Sequence, residues 1–200
     1  MMFLEHLIML VRSGIMEDLK DRLDLIKQRI SEEAFLANKG LSNEVGFHFF
    51  CYNPKYEMLV RNYIGILKED NGAVYNIIEH DLYEVFLNIL EDKRVLRTVA
   101  NLEDKKGKEH LLAQIQKIAT PQAFIERMKY EPHQLGDVLV LTGVGKVFPY
   151  MRSHNLLESM QAYFSDIPVL LFYPGEYDGT SPKLFNKFTD GHYYRAFNLL

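Results

Sequence analysis

Two rhythms of apolar positions alternate along the chain. Ile15, Leu19, Leu23, Ile26 and Ile30 recur at i, i+4, i+8, i+11 and i+15, the stripe of an amphipathic helix. The remaining positions, among them Glu17, Asp18, Lys20, Asp21, Arg22, Asp24, Lys27 and Arg29, put charge of both signs on its outer face. Residues 45–52 (VGFHFFCY) instead form a continuous aromatic-rich run stopped by Asn53-Pro54, the pattern of a buried strand and a turn. Residues 56–67 return to helical spacing. After the Asn71-Gly72 turn, residues 73–78 predict a second strand ending in Glu79-His80-Asp81, and residues 82–90 a helix. Strand, helix, strand, helix is the signature of parallel βαβ units.

Residues 82–131 read as helical, broken by a charged linker at 101–107 and again at Thr120-Pro121, an N-cap followed by proline at the first helical position. A crossover of this length exceeds what one helix requires. It predicts a helical insertion that serves as a lid or a docking surface. Strands resume at 137–142 (DVLVLT), an unbroken apolar run suited to burial on both faces. Gly143-Val144-Gly145-Lys146 follows, then a helix near 156–164. A fourth strand at 168–173 (PVLLFY) is closed by Pro174-Gly175, and a fifth is predicted at 193–200 (YYRAFNLL). The fold class expected is α/β: an open, mostly parallel, Rossmann-like or P-loop-like sheet of about five strands with helices on both faces. One domain spans 1–200, with 1–40 as a helical N-terminal segment ended by Gly40 in a C′ position.

Composition narrows the class. With 48% hydrophobic and 25% charged residues in 200, the chain has a globular make-up and excludes disordered and collagen-like classes. The one cysteine, Cys51, allows no internal disulfide and suits a reducing compartment. Residues 1–11 are apolar but lack the positive region and cleavage site of a signal peptide, and are too short for a membrane span. The expected location is therefore cytoplasmic, without membrane insertion. A net charge of −4 gives the chain as a whole no electrostatic footprint for nucleic acid, so direct DNA binding is not expected; a local basic patch stays open.

In such a sheet ligands bind beyond the C-terminal ends of the strands, here the loops after Tyr52, His80, Thr142 and Tyr173. Gly-x-Gly-Lys after Thr142 invites a phosphate-cradle reading, but Val140 and Val147 occupy the places where a P-loop needs glycine and Ser/Thr. Phe148 likewise breaks the dinucleotide fingerprint. Neither ATP nor NAD is expected as a cofactor. Lys146, Arg152 and His154 would project from one loop if Asn155 and Glu158 start the next helix at Leu156, a cluster suited to a carboxylate, a phosphate or an acidic partner. The alternative is a helix starting at Pro149 with Arg152 paired locally. Glu176 and Asp178, flanked by Gly175 and Gly179, are either a carboxylate pair for acid/base work or a metal, or simply turn formers. No zinc spacing or serine-hydrolase elbow is present in the sequence. The stripe Leu19, Leu23, Ile26 and Ile30 either packs on its own domain or docks a partner.

Four segments carry a resemblance to a known family. They are Leu141-Thr142-Gly143-Val144-Gly145, Phe148-Pro149-Tyr150-Met151-Arg152-Ser153-His154, Phe172-Tyr173-Pro174-Gly175-Glu176-Tyr177-Asp178-Gly179, and Tyr193-Tyr194-Arg195-Ala196-Phe197. In order and spacing this stretch, residues 136–200, resembles the BrxB family of the BREX bacteriophage-exclusion systems. Asn43, Glu44 and Phe47 and the run Ile78-Glu79-His80-Asp81-Leu82-Tyr83 are further points of likeness. The resemblance supplies no catalytic motif. It implies a non-enzymatic core or adaptor subunit of an antiviral complex that works by protein–protein binding. The implied partners are other BREX proteins: foremost the PglZ-like alkaline-phosphatase-superfamily component, then the large ATPase or the DNA methyltransferase. The residues also leave room for a nucleotide- or phosphate-binding α/β protein that uses the strand-end loops.

Overall fold

The computed structural model describes residues 18–38, 46–179, 181–189 and 196–200. Helix α1 covers residues 18–30, followed by α2 (Glu33–Leu36), β1 (Phe47–Tyr52), α3 (Glu57–Lys68), β2 (Asn76–Asp81) and α4 (Leu82–Asp92). Next come α5 (Val99–Lys106), α6 (Lys108–Ile118), α7 (Pro121–Met128), β3 (Asp137–Thr142), α8 (Val144–Val147) and α9 (Ser153–Met160). The chain ends with β4 (Val169–Tyr177), β5 (Pro182–Leu184), β6 (Phe188–Thr189) and β7 (Phe197–Asn198).

Five strands form an open parallel sheet in the order β2-β3-β4-β1-β7. Its middle strands are buried on both faces, which is why they read as unbroken apolar runs. Phe47, Phe49, Cys51, Leu139, Leu141, Val169 and Leu171 point to one face, where α4 and α6 to α9 cover them. Phe50, Tyr52, Val138, Val140, Leu170 and Phe172 point to the other, under α1, α2 and α3. Leu19, Leu23, Ile26 and Ile30 all lie in this second core, so the apolar stripe of α1 is used inside the domain and the helix presents its charged face outward.

Several boundaries differ from the sequence expectation. The linker foreseen at 101–107 is mostly helix, because charge alone does not break a helix; the interruption waits for Gly107, at φ 82°. Strand β2 starts three residues late and takes in Glu79, His80 and Asp81, since at the sheet edge polar side chains reach solvent or partners. Strand β4 does not stop at Pro174-Gly175. It runs on to Tyr177, pairs antiparallel with β5, and β5 pairs with β6, a hairpin the sequence did not suggest. The cap at Thr120 is as foreseen, its side chain accepting from the Ala123 amide. Of the fifth strand only β7 lies within the described residues, and it is short; positions 193–195, the Gly40 stop and residues 1–17 lie outside them.

Candidate functional site

The chain leaves β1 through α3 on one face of the sheet, whereas β2 and β3 lead into helices on the other. The strand ends around β4 are therefore the topological switch point, where an open α/β sheet has its crevice. Asp81 ends β2 and starts α4. Its Oδ1 accepts from the Tyr83 amide (2.9 Å) and the Glu84 amide (3.4 Å), an N-cap at the helix start. Its Oδ2 accepts from Lys146 Nζ (2.5 Å) and Arg61 Nη2 (3.0 Å). Arg61 Nε in turn donates to Glu57 Oε1 (2.8 Å), and the Tyr52 hydroxyl donates to Glu57 Oε2 (2.5 Å). One network thus joins the ends of β1, β2 and β3.

The electrostatics follow from this geometry. Burial works to raise the Asp81 carboxyl, but the hydrogen bonds from Lys146, the Tyr83 amide and Arg61 outweigh it and hold the group below the usual carboxylate range. Burial also works against the charge on Arg61, and its bonds to Glu57 and Asp81 again prevail, keeping it protonated. Burial, then the bond to Glu57, pushes the Tyr52 phenol up, so it stays a neutral donor. Two anions face two cations in this network, with a neutral hydroxyl at its end.

The two glycines after β3 serve packing. Gly143 sits at φ 74°, and a Cβ there would stand 2.2 Å from Asp81 Oδ1. A Cβ on Gly145 would stand 2.6 Å from the Phe185 ring, which comes from the end of β5, and 3.2 Å from Pro174 Cγ. The Gly-x-Gly turn is therefore covered by the β4–β5–β6 hairpin on one side and by Asp81 on the other. Val144–Val147 is a helical turn, not a phosphate loop.

The other candidates scatter around this closure. Arg152 precedes α9 and sets its guanidinium over the Phe148 ring at 5.6 Å. Helix α9 begins at Ser153, neither at Leu156 nor at Pro149. Asn155 is therefore inside it, its carbonyl accepting from the Ser159 hydroxyl, and His154 lies in its first turn, half-buried. Glu176 accepts from Asn186 Nδ2 (2.8 Å), and Asp178 accepts from the Ser181 amide (2.9 Å) and pairs with Lys183 (3.1 Å), so both fasten the hairpin. Burial pushes the Cys51 thiol up to about 12. No group of three metal-ligating side chains occurs among the described residues, and none of their helices is long and apolar enough to cross a membrane. Sequence reasoning missed Asp81, Arg61, Glu57 and Tyr52. Asp81 carried one legible signal, an Asp-x-x-Glu capping spacing with Glu84.

Comparison with known proteins bears on the same region. A family model described as "BrxB: BREX protein BrxB" matches residues 78–199. The chain is 41% identical over 190 residues to the BREX protein BrxB of Bacillus cereus (strain H3081.97), covering 92% of this chain and 99% of that protein. It is 31% identical over 188 residues to the BREX protein BrxB of Escherichia coli O9:H4 (strain HS), covering 91% and 92% respectively. No solved structure matches. A match to the family model that takes in the ends of β2, β3 and β4, with relatives alike along nearly their whole length, places the chain in the BrxB family, as a component of a BREX system.

Proposed function

We propose that the chain is a non-enzymatic adaptor of a BREX phage-defence complex and acts by binding other BREX proteins. The observation that carries this reading is the filled strand end: Phe185 packs on Gly145, and Lys146 is bonded to Asp81 where this fold class would otherwise offer a ligand crevice. The partners that suit the reading are the PglZ-like component first, then the large ATPase or the methyltransferase. The helices over the second core give a partner something to hold. Met58 and Ile66 on α3 are 68% and 63% exposed, and Leu25 on the adjacent α1 is 47% exposed. Tyr63 links the two helices by donating to the Leu23 carbonyl (2.5 Å). Apolar side chains of this size on neighbouring helices suit the centre of a protein interface.

Co-expression with each other component of the same operon, with a tag on this chain alone, tests the reading. Stable co-purification with one of them, lost in Met58→Asp/Ile66→Asp, is the expected result. Recovery of this chain alone with every component would contradict it. A nucleotide- or phosphate-binding role would require Lys146 to leave Asp81, and calorimetric titration with ATP, GTP and Mg²⁺ would then show saturable heat.

A further inference from the structure

The net charge that speaks against nucleic acid for the whole chain does not describe one segment of it. From the end of α4 to the first residue of α6, residues 93–108 hold Lys93, Arg94, Arg97, Lys105, Lys106 and Lys108 against Glu103 and Asp104, with Glu91 and Asp92 just before the segment and Glu109 just after it. All six cations are exposed. Elsewhere in the described residues lysine and arginine are mostly engaged: Lys27 with Asp70, Lys68 with Glu79, Arg127 with Asp92, Lys146 with Asp81. None of the six is in an ion pair or a side-chain hydrogen bond.

The six fall into two clusters at the ends of α5, which buries no residue and spans about 12 Å from end to end. Lys93 and Arg94 after α4, and Lys105 and Lys106 closing α5, are placed as the helix dipole favours. The other two run against it. Arg97 stands just ahead of α5, and Lys108 is the first residue of α6, whose start has no side-chain cap. Glu109 in the first turn of α6 offsets part of that cost, and a bound anion would offset more. Glu91 lines the same groove as Arg94 and Arg97 and limits how much negative charge enters there.

We propose that this α5 arm binds the phosphate backbone of nucleic acid without reading sequence. The segment lacks the aromatic anchors of a protein interface centre: it contains no aromatic residue, and its exposed large apolar side chain is Leu96, at 38%. Phosphate contacts need only cations, which stand at both ends of α5, and open amides, which the uncapped start of α6 offers. The surface is distinct from the α1–α3 face assigned above to a protein partner.

The test is fluorescence anisotropy of the full chain on two labelled duplexes of equal length and unrelated sequence, over a salt series from low to physiological. Both are expected to bind equally, with a dissociation constant of about 10⁻⁶ to 10⁻⁴ M at the physiological end and tighter at low salt, the logarithm of the association constant falling against log salt with a slope of about −3 or steeper. Lys105→Glu/Lys106→Glu/Lys108→Glu is expected to weaken binding at least tenfold and to flatten the slope, as is Lys93→Glu/Arg97→Glu. Both sets lie on exposed positions, so unchanged far-UV dichroism keeps the comparison valid. No binding at low salt, or equal binding by the charge-reversed variants, would overturn the proposal. So would a polyglutamate peptide of matched charge that competes as well as unlabelled duplex, because the arm would then be a dock for acidic protein.

Discussion

The Phe185 ring occupies the space over Gly145, close enough that a single methyl group at Gly145 would meet it at 2.6 Å. The ring is carried on a hairpin that continues β4 beyond the sheet, so the same strand forms part of the core and closes its end.

Adding that methyl is therefore costly. Gly145→Ala is expected to lose about 1–3 kcal/mol in urea unfolding through overpacking against Phe185 and Pro174. Phe185→Ala should relieve part of the loss when combined with it. A double-mutant cycle measures the coupling, and strict additivity would show that the two do not press on each other.

Asp81 has two jobs that substitutions separate. Asp81→Asn keeps a capping oxygen but drops the charge pairing with Lys146 and Arg61, which are about a third exposed and screened accordingly. It should cost about 1 kcal/mol or less. Asp81→Ala also loses the cap of α4 and should cost about 1 kcal/mol more. Because the folded carboxyl is held below its ordinary value, its charge contribution is full above the unfolded pKa near 4 and is lost as pH falls through the lower folded value. Asp81→Asn should lack that acid-limb component.

His48 adds a second pH effect in a different window. It is buried between Phe35 and Phe197, and burial, with Arg29 nearby, lowers its pKa to about 4. The unfolded chain takes up that proton near pH 6.5 and the folded one does not. Stability should then fall as pH drops from 6.5 towards 4, by at most about 3 kcal/mol. His80 is lowered in the same direction by burial and adds to the slope. His48→Phe, which keeps a ring between Phe35 and Phe197, should flatten the profile in denaturant titrations at pH 7, 6 and 5; an unchanged slope would assign the effect elsewhere.

Cys51 should be inert while the chain is folded. Its thiol is buried and pushed up to about 12, so little thiolate forms at pH 8. A disulfide-exchange reagent should titrate one thiol only after denaturant is added.

Much of this architecture is written in local pattern. Residues 138–141 are an uninterrupted apolar run inside β3, whose bounds are those expected, and Thr120-Pro121 caps α7 by the preference of threonine for the N-cap and proline for the first helical position. The α1 stripe is legible too, although its spacing alone does not say that Ile26 and Ile30 face the domain's own sheet. What escaped depends on neighbours distant in sequence. Lys146 meets Asp81 across 65 positions because β2 and β3 happen to lie side by side. Pro174-Gly175 looks like punctuation, yet the strand carries on through it, Gly175 lying so close to the Lys183 carbonyl that no side chain fits. Asn101–Gly107 reads as a linker because its charges suggest solvent, and an exposed helix is solvated on nearly every side as well.

The adaptor role is tested most directly by light scattering on size-exclusion peaks, with this chain alone, the PglZ-like component alone, and the two mixed. A mixed peak at the summed mass, abolished by Met58→Asp/Ile66→Asp, is the expected result. Two separate peaks, repeated with the large ATPase and with the methyltransferase, would contradict it.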